Sequence, residues 1–578
     1  MNKPSRPSQF ESASAFKMFP ILFCLLFMLT FSKQLRAGES YALSFSTCVG
    51  GSKWDYARDV CADAQGNIYL VGATASSDFP TTPGAYQRVQ DKTGTHVGNY
   101  GHCDAFVAKF GPTGNLIWST YLGGPNYDRA YAVEVDSKGY VYVAGRAGMG
   151  FPTTTNTFQP TFKGVDQGGY GWENAFVAKL SPDGSNLVWA SYVGLGEMCR
   201  DMALDANGDI YLPLVRNTGA FVPPGTNYTL ATAWFANAYQ KTLKGGSEIG
   251  VIKVSNDGTH VLWATWLGGS SNENTAVSIR ADAAGCVYVF TETSSTDIPT
   301  TPGAWRQTRP GGRDGYAAKL SPDGSQLIYG TYIGGSGDDF VPSTHNLAVD
   351  AQGNAYFGGS YRSTDIPTTL GVVQPAHAGG DSDVAIIKLT PTGSLSRCTY
   401  IGGKGDDGSD GIYADSAGNV FISGATSSTN FPVTPGAVQT VYGGGRQDAF
   451  VVRLSADFSQ ILYATYMGGS NWDAGTSGFL GQDRNLYLVG SSDGSGWPIK
   501  NAYQAAFRGR GTDPGYTYPG WAAGDATLAK FIPTGPAVHA SSISVFCHLQ
   551  STTLPAQRVA VAVAFLRTVL IGMRPLGT

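Results

Sequence analysis

The chain of 578 residues carries 14% charged residues, 12% aromatics, 77 glycines and a net charge of −4. Charge lies well below the usual ~25% and glycine at about twice its usual ~7% share, the profile of a turn-rich β protein, since glycine supplies turns and aromatics favour pleated surfaces. There is no Lys/Arg block, which excludes a nucleic-acid binder, and so small a net charge excludes long-range steering.

The chain opens with Lys3, Arg6 and Lys17 ahead of or within the start of an apolar run, Met18 to Phe31. That run is short of the ~20 residues a membrane span needs, so 1–37 reads as a signal peptide cleaved after Ala37. The expectation is a secreted, cell-surface or periplasmic protein with no firm membrane association after cleavage; an uncleaved anchor is the alternative. Eight cysteines show no Cys-x-x-Cys spacing, and losing Cys24 leaves an odd number. They read as free and mostly buried thiols.

From Leu43 onward three signatures cycle. The first is Leu43–Gly51, whose pattern returns at Trp118–Gly124, Trp189–Gly194, Trp263–Gly269, Tyr329–Gly335, Cys398–Gly403 and Tyr463–Gly469. The second is Val60–Gly72, two apolar segments around an Asp-x-x-Gly-Asn turn, and the third is Asp104–Phe110, Asp-Ala-Phe-Val-Ala-Lys-Phe. The first Gly of the first signature falls at 50, 123, 194, 268, 334, 402 and 468, a period of 66 to 74 residues. Alternating apolar residues rich in Val, Ile, Tyr and Phe predict strands, and the Gly-containing turns predict hairpins. Each unit is thus four antiparallel strands. The last unit lacks the Gly-Gly strand, and Leu43–Gly51 is a Gly-Gly strand without a unit. Together they close a ring: an all-β, seven-bladed propeller over 41–535, in which radial stacking buries both faces of every sheet. Unit three departs most, and Pro213 is expected to interrupt its second strand. Residues 536–578 match nothing in the repeat and read as a tail of unknown structure.

Thr-Tyr-Leu-Gly-Gly, the Val-Asp-x-x-Gly-Asn-x-Tyr-Val-x-Gly stretch, Asp-Phe-Pro-Thr-Thr-Pro-Gly-Ala-Tyr-Gln and Asp-Ala-Phe-Val-Ala-Lys-Leu resemble the bacterial seven-bladed β-propeller (SBBP) repeat family. The resemblance covers roughly 41–535. It implies a secreted or cell-surface propeller and no particular reaction or catalytic residue.

Strand parity puts the second-to-third loops and the fourth-to-first links on one face. The second-to-third segments span about 24 residues in units four to six and about 29 to 36 in units seven, one, two and three, beyond the ~12–15 at which loops become candidates for function. The four longer ones form one arc holding His96, His102, Trp172, Tyr228, Trp234, Tyr516, Tyr518 and Trp521. A recurring Phe-Pro…Tyr-Gln core, as at Phe79-Pro80 and Tyr86-Gln87, is expected to clasp each loop to its own blade. The links carry an acid at a fixed place, preceded on the arc by an aromatic: Trp54-Asp55, Tyr127-Asp128 and Trp472-Asp473. Aromatics with carboxylates are what a glycan or a protein partner needs, so these six are the candidate ligand-binding residues; the alternative is that the aromatics plug the gaps between blades. Asp338-Asp339 and Asp406-Asp407 are candidate hard-oxygen ligands for Ca²⁺, and His96, His102 and Cys103 fit no zinc spacing. No His-Glu-x-x-His or phosphate-binding Gly loop occurs. No cofactor is expected beyond a possible Ca²⁺. The function expected is a monomeric binding or adhesion module for an extracellular glycan or protein; the alternative is a secreted hydrolase or lyase on the same scaffold.

Overall fold

The computed structural model describes residues 39–535 except 99–100, 167–169, 195–197, 218–229, 274–275, 341–344, 482, 495 and 510–523. The predicted signal segment 1–37 and the tail 536–578 lie outside the described residues, as do Tyr228, Tyr516, Tyr518 and Trp521. Seven sheets follow one another, each with four main antiparallel strands. Blade 1 is Asp55–Ala62, Ile68–Thr74, Asp104–Phe110 and Leu116–Leu122. Blades 2 to 6 repeat this order. Blade 7 takes Asp473–Leu480, Leu486–Ser492 and Asp525–Pro533 from the end of the chain and its outer strand, Tyr41–Val49, from the beginning. Tyr41 pairs with Pro533 and Val49 with Ala526, antiparallel throughout. The missing strand and the orphan strand therefore complete each other, as the repeat count requires.

Five of the seven seams between neighbouring blades share one arrangement. An aromatic on the outer strand lies flat against the glycine of the next blade's last turn. A Cβ on Gly184 would approach the Trp118 ring to 2.5 Å, and one on Gly114 would approach the Phe45 ring to 2.7 Å. Phe45 comes from the N-terminal strand, so the closing seam is built like the others. Those glycines also hold φ near +70° to +90°, where a side chain is strained. One seam inverts the arrangement: blade 5 has Arg397 in place of the aromatic, and blade 6 has Phe458 in place of glycine. Phe458 is fully buried at φ +59°, so the ring lost from one side returns from the other. Phe458→Ala should cost about 3–5 kcal/mol from the cavity it leaves. Phe458→Gly should cost about 1 kcal/mol less because it releases the backbone strain. Urea midpoints give the order; Gly below Ala would overturn the strain argument.

The long second-to-third segments leave from one face, but their described parts do not stay on it. Each descends the outer rim beside its fourth strand and returns along it, so that Tyr121 N–H donates to Gln87 O at 3.0 Å and Cys48 N–H to Gln504 O at 3.1 Å, with equivalents in all seven blades. The Gln side chain then accepts from the Gly-Gly strand end, Gly123 N–H to Gln87 Oε1 at 3.0 Å. Phe79 packs on Phe106 with ring centroids 4.5 Å apart, and Phe151 and Phe431 do the same in blades 2 and 6. These described stretches cover sheet edges that would otherwise be open to pairing.

Pro213 does not break its strand. Ile210–Asn217 runs through it, paired to Ser247–Val254 on one side. The missing N–H instead faces the inner strand, which shortens to Ala203–Leu204. The six described cysteines are free, five of them buried. No helix among the described residues is long and apolar enough to cross a membrane.

Candidate functional site

The six sequence-predicted ligand residues are placed inside the wall of the ring. Trp54 is 2% exposed, Tyr127 0% and Trp472 9%. Trp54 and Tyr127 share one apolar cluster with Tyr56 and Cys103 between blades 1 and 2; Trp472 stands apart, under Arg446. In this structure the rings fill the gaps between blades and offer no open face for a sugar to stack on. The acids bind their own links: Gly51 N–H donates to Asp55, Gly124 N–H to Asp128 and Gly469 N–H to Asp473, each at 2.7 Å. Burial pushes Asp55 and Asp128 up to about 8 and Asp473 up to about 6, with those N–H donors pulling the other way. The Gly-Gly pairs follow from this, since a Cβ on Gly50 would meet Asp55 Oδ2 at 2.6 Å.

The paired acids behave likewise. Asp339 accepts from Gly335 N–H and the Ser363 hydroxyl at 2.8 and 2.7 Å, and Asp407 from Gly403 N–H and Ser428 at 2.7 and 2.8 Å. Exposed Asp338 and Asp406 accept from Arg313 and Asp381 N–H. Among the described residues no group of three His, Cys, Asp or Glu side chains is placed to hold a metal ion. His102 Nδ1 lies 3.2 Å from Pro125 O, and Cys103 is buried against Asp128 O. A groove of 730 Å³ opens between blades 2 and 3 at the opposite face, lined by Tyr140, Lys179, Trp189 and Asn256.

The side chains that differ most between blades lie on the axis. In blades 1, 2, 6 and 7 the inner strand carries a β-bulge, with register shifts at Ala57/Asp59, Ala130/Ala132, Ser409/Gly411 and Gly475/Ser477. A bulge re-aims its extra residue. The residues at that position are Arg58, Tyr131, Arg200, Val277, His345, Asp410 and Thr476 in blades 1 to 7, a set with no common chemistry in an otherwise constant repeat. This variability is the signal that sequence reading along loops and links passes over.

Two clusters result. Toward the long-loop face, four guanidiniums gather around the buried Tyr131 ring: Arg58 and Arg129 with Cζ 5.0 Å from its centroid, Arg146 at 5.4 Å and Arg200 at 5.5 Å. Arg58 and Arg129 also flank Tyr56, and Arg146 lies 4.2 Å from the Tyr170 centroid while pairing with Glu173 at 2.9 Å. Burial alone would raise the Tyr131 hydroxyl; the guanidiniums of Arg129, Arg146, Arg200 and Arg58 overcome it and bring it down to about 8. Tyr170 contacts Tyr127 edge-on at 5.5 Å, and half-buried Trp172 meets the exposed His96 ring at 5.7 Å.

Deeper on the axis, His345 links three blades. Its Nε2–H donates to Tyr131 O (3.2 Å) and faces Asp59 Oδ1 at 3.6 Å, while Nδ1 faces Asp201 Oδ1 at 3.3 Å. Arg280 reaches Asp201 Oδ2 at 2.6 Å. Asp59 and Asp201 accept Val133 and Ile279 N–H, and Ser477 donates to Asp59, each at 2.9 Å. These bonds tie the inner strands of blades 1 to 5 and 7 together across the axis. Burial works against charge on His345, but the two carboxylates outweigh it and hold the imidazole above its ordinary value. Burial likewise opposes charge on Asp201, and Arg280 and His345 hold it below the usual carboxylate range. Burial pushes Glu134 up to about 7 against the pull of Arg280.

Comparison with known proteins places this geometry. Residues 117–152 match the model of the beta-propeller repeat SBBP. The chain is similar to the Regulatory protein FlaEY of Caulobacter vibrioides, 25% identical over 342 residues that make up 58% of this chain and 32% of that protein, so it spans about a third of that relative's length. Weaker likenesses to solved structures include BamB from Moraxella catarrhalis (10% identity, TM-score 0.32, 78% of this chain and 96% of that one). They also include the Neurospora crassa Pan2 WD40 domain (6%, 0.39, 86% and 97%) and polysaccharide lyase Uly1 (9%, 0.38, 86% and 98%). With the closed ring of seven four-stranded sheets and the repeat match inside blades 1 and 2, the chain is a seven-bladed β-propeller carrying the SBBP repeat.

Proposed function

We propose that the chain is an exported binding module that recognises an extracellular glycan or protein through the axial end of its long-loop face, over blades 1 to 3. One observation carries this reading: a rigid, repetitive ring concentrates its blade-specific side chains at the axis, where guanidiniums and the tyrosine and tryptophan rings of blades 1 and 2 lie side by side. Rigid scaffolds bearing rim-to-axis aromatics and arginines are the usual material of recognition surfaces. The rim loops and the link acids are occupied with edge covering and backbone satisfaction, which leaves the axis as the site. The test is a pull-down from envelope glycans and proteins comparing wild type with Trp172→Ala and Arg200→Gln, both folded by circular dichroism. Loss of a captured ligand in both supports the site; full retention in both moves it elsewhere on the ring.

The enzyme reading has one observation in its favour: Asp59 and Asp201 flank His345, with Glu134 held near neutral titration, a set suited to proton transfer. Reducing-sugar release from polysaccharides, abolished by Asp59→Asn, would make that reading the better one.

A further inference from the structure

We infer that the groove between blades 2 and 3, on the face opposite the long loops, is a second ligand site that takes an uncharged oligosaccharide. It is independent of the axial site proposed above. The groove measures 730 Å³, within the ~300–1,000 Å³ of small-molecule sites. Three departures from the repeat converge on it. Tyr140 follows the first turn of blade 2, where blades 1, 5, 6 and 7 have Asn67, Asn354, Asn419 and Asn485. The rim tip of blade 2 is Thr155-Asn156-Thr157, where blades 1, 4 and 6 have Pro-Gly-Ala. Asn256 stands in the last turn of blade 3, where blades 1, 2, 4 and 5 have Pro112, Pro182, Pro322 and Pro391. All three positions line the groove. At this one junction the repeat has exchanged prolines and a glycine for hydroxyls, amides and a ring.

The exchange also changes what the lysine of the groove does. Lys253 and Lys319 pair with acids of their own blades, Asp205 and Asp282, at 2.8 and 3.4 Å. Lys179 donates instead to Asn256 Oδ1, which also accepts from the Tyr142 hydroxyl at 2.9 Å, while Asn256 Nδ2 donates to Asn207 O at 3.0 Å. Asn256 is thereby fixed, and the lysine is held against the Tyr140 ring with Nζ 4.8 Å from its centroid. Asp136 and Asp257 line the groove with Lys138 and Lys179, so its charges balance and it selects neither an anion nor a cation. Its hydroxyls and amides both donate and accept, as sugar hydroxyls do. Half-buried Tyr140 and Val188, 45% exposed, offer apolar surface to the C–H face of a sugar ring. Thr155 and Asn156 are exposed, the part of the rim segment that edge covering leaves over. A peptide adding to the sheet would need a run of open edge groups. On the outer strand these are taken, Ala190 N–H by Thr154 Oγ1 at 3.2 Å and Tyr192 N–H by Gln159 O at 3.0 Å.

The experiment titrates the full chain calorimetrically with cellotetraose, maltotetraose, N-acetylchitotetraose and, as the charged control, tetragalacturonate. At least one of the neutral sugars should bind, with an affinity that salt does not change, and tetragalacturonate should bind more weakly. Thr155→Pro/Asn156→Gly and Tyr140→Asn restore residues that other blades carry, so both should melt as wild type does. Each should weaken the sugar at least about tenfold, the scale of one or two lost hydrogen bonds. Asn156→Ala, which alters only an exposed side chain, replaces either variant that melts lower and should also weaken the sugar. Trp172→Ala and Arg200→Gln, at the axial end of the other face, should leave the affinity unchanged. If no neutral sugar binds, or the groove variants bind as wild type does, the groove inference falls, and the envelope pull-down separately decides the axial module. Loss of the sugar in the axial variants with retention in the groove variants also overturns it, this time in favour of the axis. Binding of tetragalacturonate as tight as that of the best neutral sugar overturns the uncharged ligand class.

Discussion

Removing Tyr41–Val49 is expected to abolish the monomeric native ring. The strand contributes the buried side chains of Tyr41, Leu43, Phe45 and Val49. At roughly 1.5–3 kcal/mol each these amount to about as much as the whole net stability of a typical domain, ~5–15 kcal/mol. The deletion also bares the edge of Asp525–Pro533 and strips the bonds made to the rim segment of blade 7, among them Trp497 Nε1–H to Ser46 Oγ, Gln504 N–H to Thr47 Oγ1 and Lys500 Nζ–H to Leu43 O. An open sheet edge invites pairing with a second chain. The truncated protein should therefore elute as oligomers or aggregate and melt more than ten degrees lower. A synthetic peptide spanning 39–52, added in trans, should restore the monomer. An unchanged melting curve and a monodisperse monomer would show that the ring does not depend on this strand.

The second large effect is expected at the axis. Asp201→Ala leaves the Arg280 guanidinium and the His345 imidazole facing each other without their shared carboxylate. Breaking a buried ion pair from one side costs about 3–5 kcal/mol, and urea denaturation should show a loss of that size. The pH dependence follows from the groups around His345: Asp59 and Asp201 in contact, with Arg280, Glu134 and Tyr413 nearby. Because its folded value is raised above 6.5, the stabilisation from charged His345 is complete below that pH and is lost as pH rises through the raised value. Asp201 runs the other way: its folded value is lowered, so its contribution holds above the ordinary carboxylate range and disappears only in stronger acid. The advantage of wild type over His345→Gln should thus be largest near pH 5–6 and shrink at alkaline pH. A gap that is constant, or widens with pH, would mean that His345 is neutral in the folded ring.

Much of this architecture was legible in the sequence because each unit repeats the same physical solution. The Asp-x-x-Gly-Asn turns, the alternating Val and Tyr residues and the orphan Leu43–Gly51 strand set the strand count, the pairing and the closure. The site was less legible, for two reasons. Loop length pointed to the rim, but a segment that must run down and back along a strand is long for structural reasons alone, as Phe79–Gln87 shows. Aromatics beside acids suggested a sugar platform, but at a blade junction a large ring is also the best filler, and Trp54 and Tyr127 serve that purpose. Arg58 and Tyr131 escaped because a β-bulge breaks the period of two at each, and Arg200 and His345 because they lie just ahead of shortened inner strands. Arg58, Tyr131, Arg200 and His345 read as interruptions of an apolar strand, and only the closed ring brings residues nearly 300 positions apart to one point. Phe458 was hidden in the same way: its reason is Arg397 on the neighbouring blade.

All of this depends on the two ends of the propeller meeting in one sheet, and a native cysteine allows that to be measured. Cys48 stands directly opposite Thr527 in the closing strand pair, and directly opposed residues in antiparallel strands have Cα atoms about 4.5–5.5 Å apart, within reach of a disulfide. In a Thr527→Cys variant, mild oxidation followed by tryptic mass spectrometry should recover, from monomeric protein, a single cross-linked peptide in which Cys48 is joined to the thiol introduced opposite it. Recovery of both thiols in the free state, or a cross-link found only between two chains, would contradict a ring closed by its own N-terminal strand.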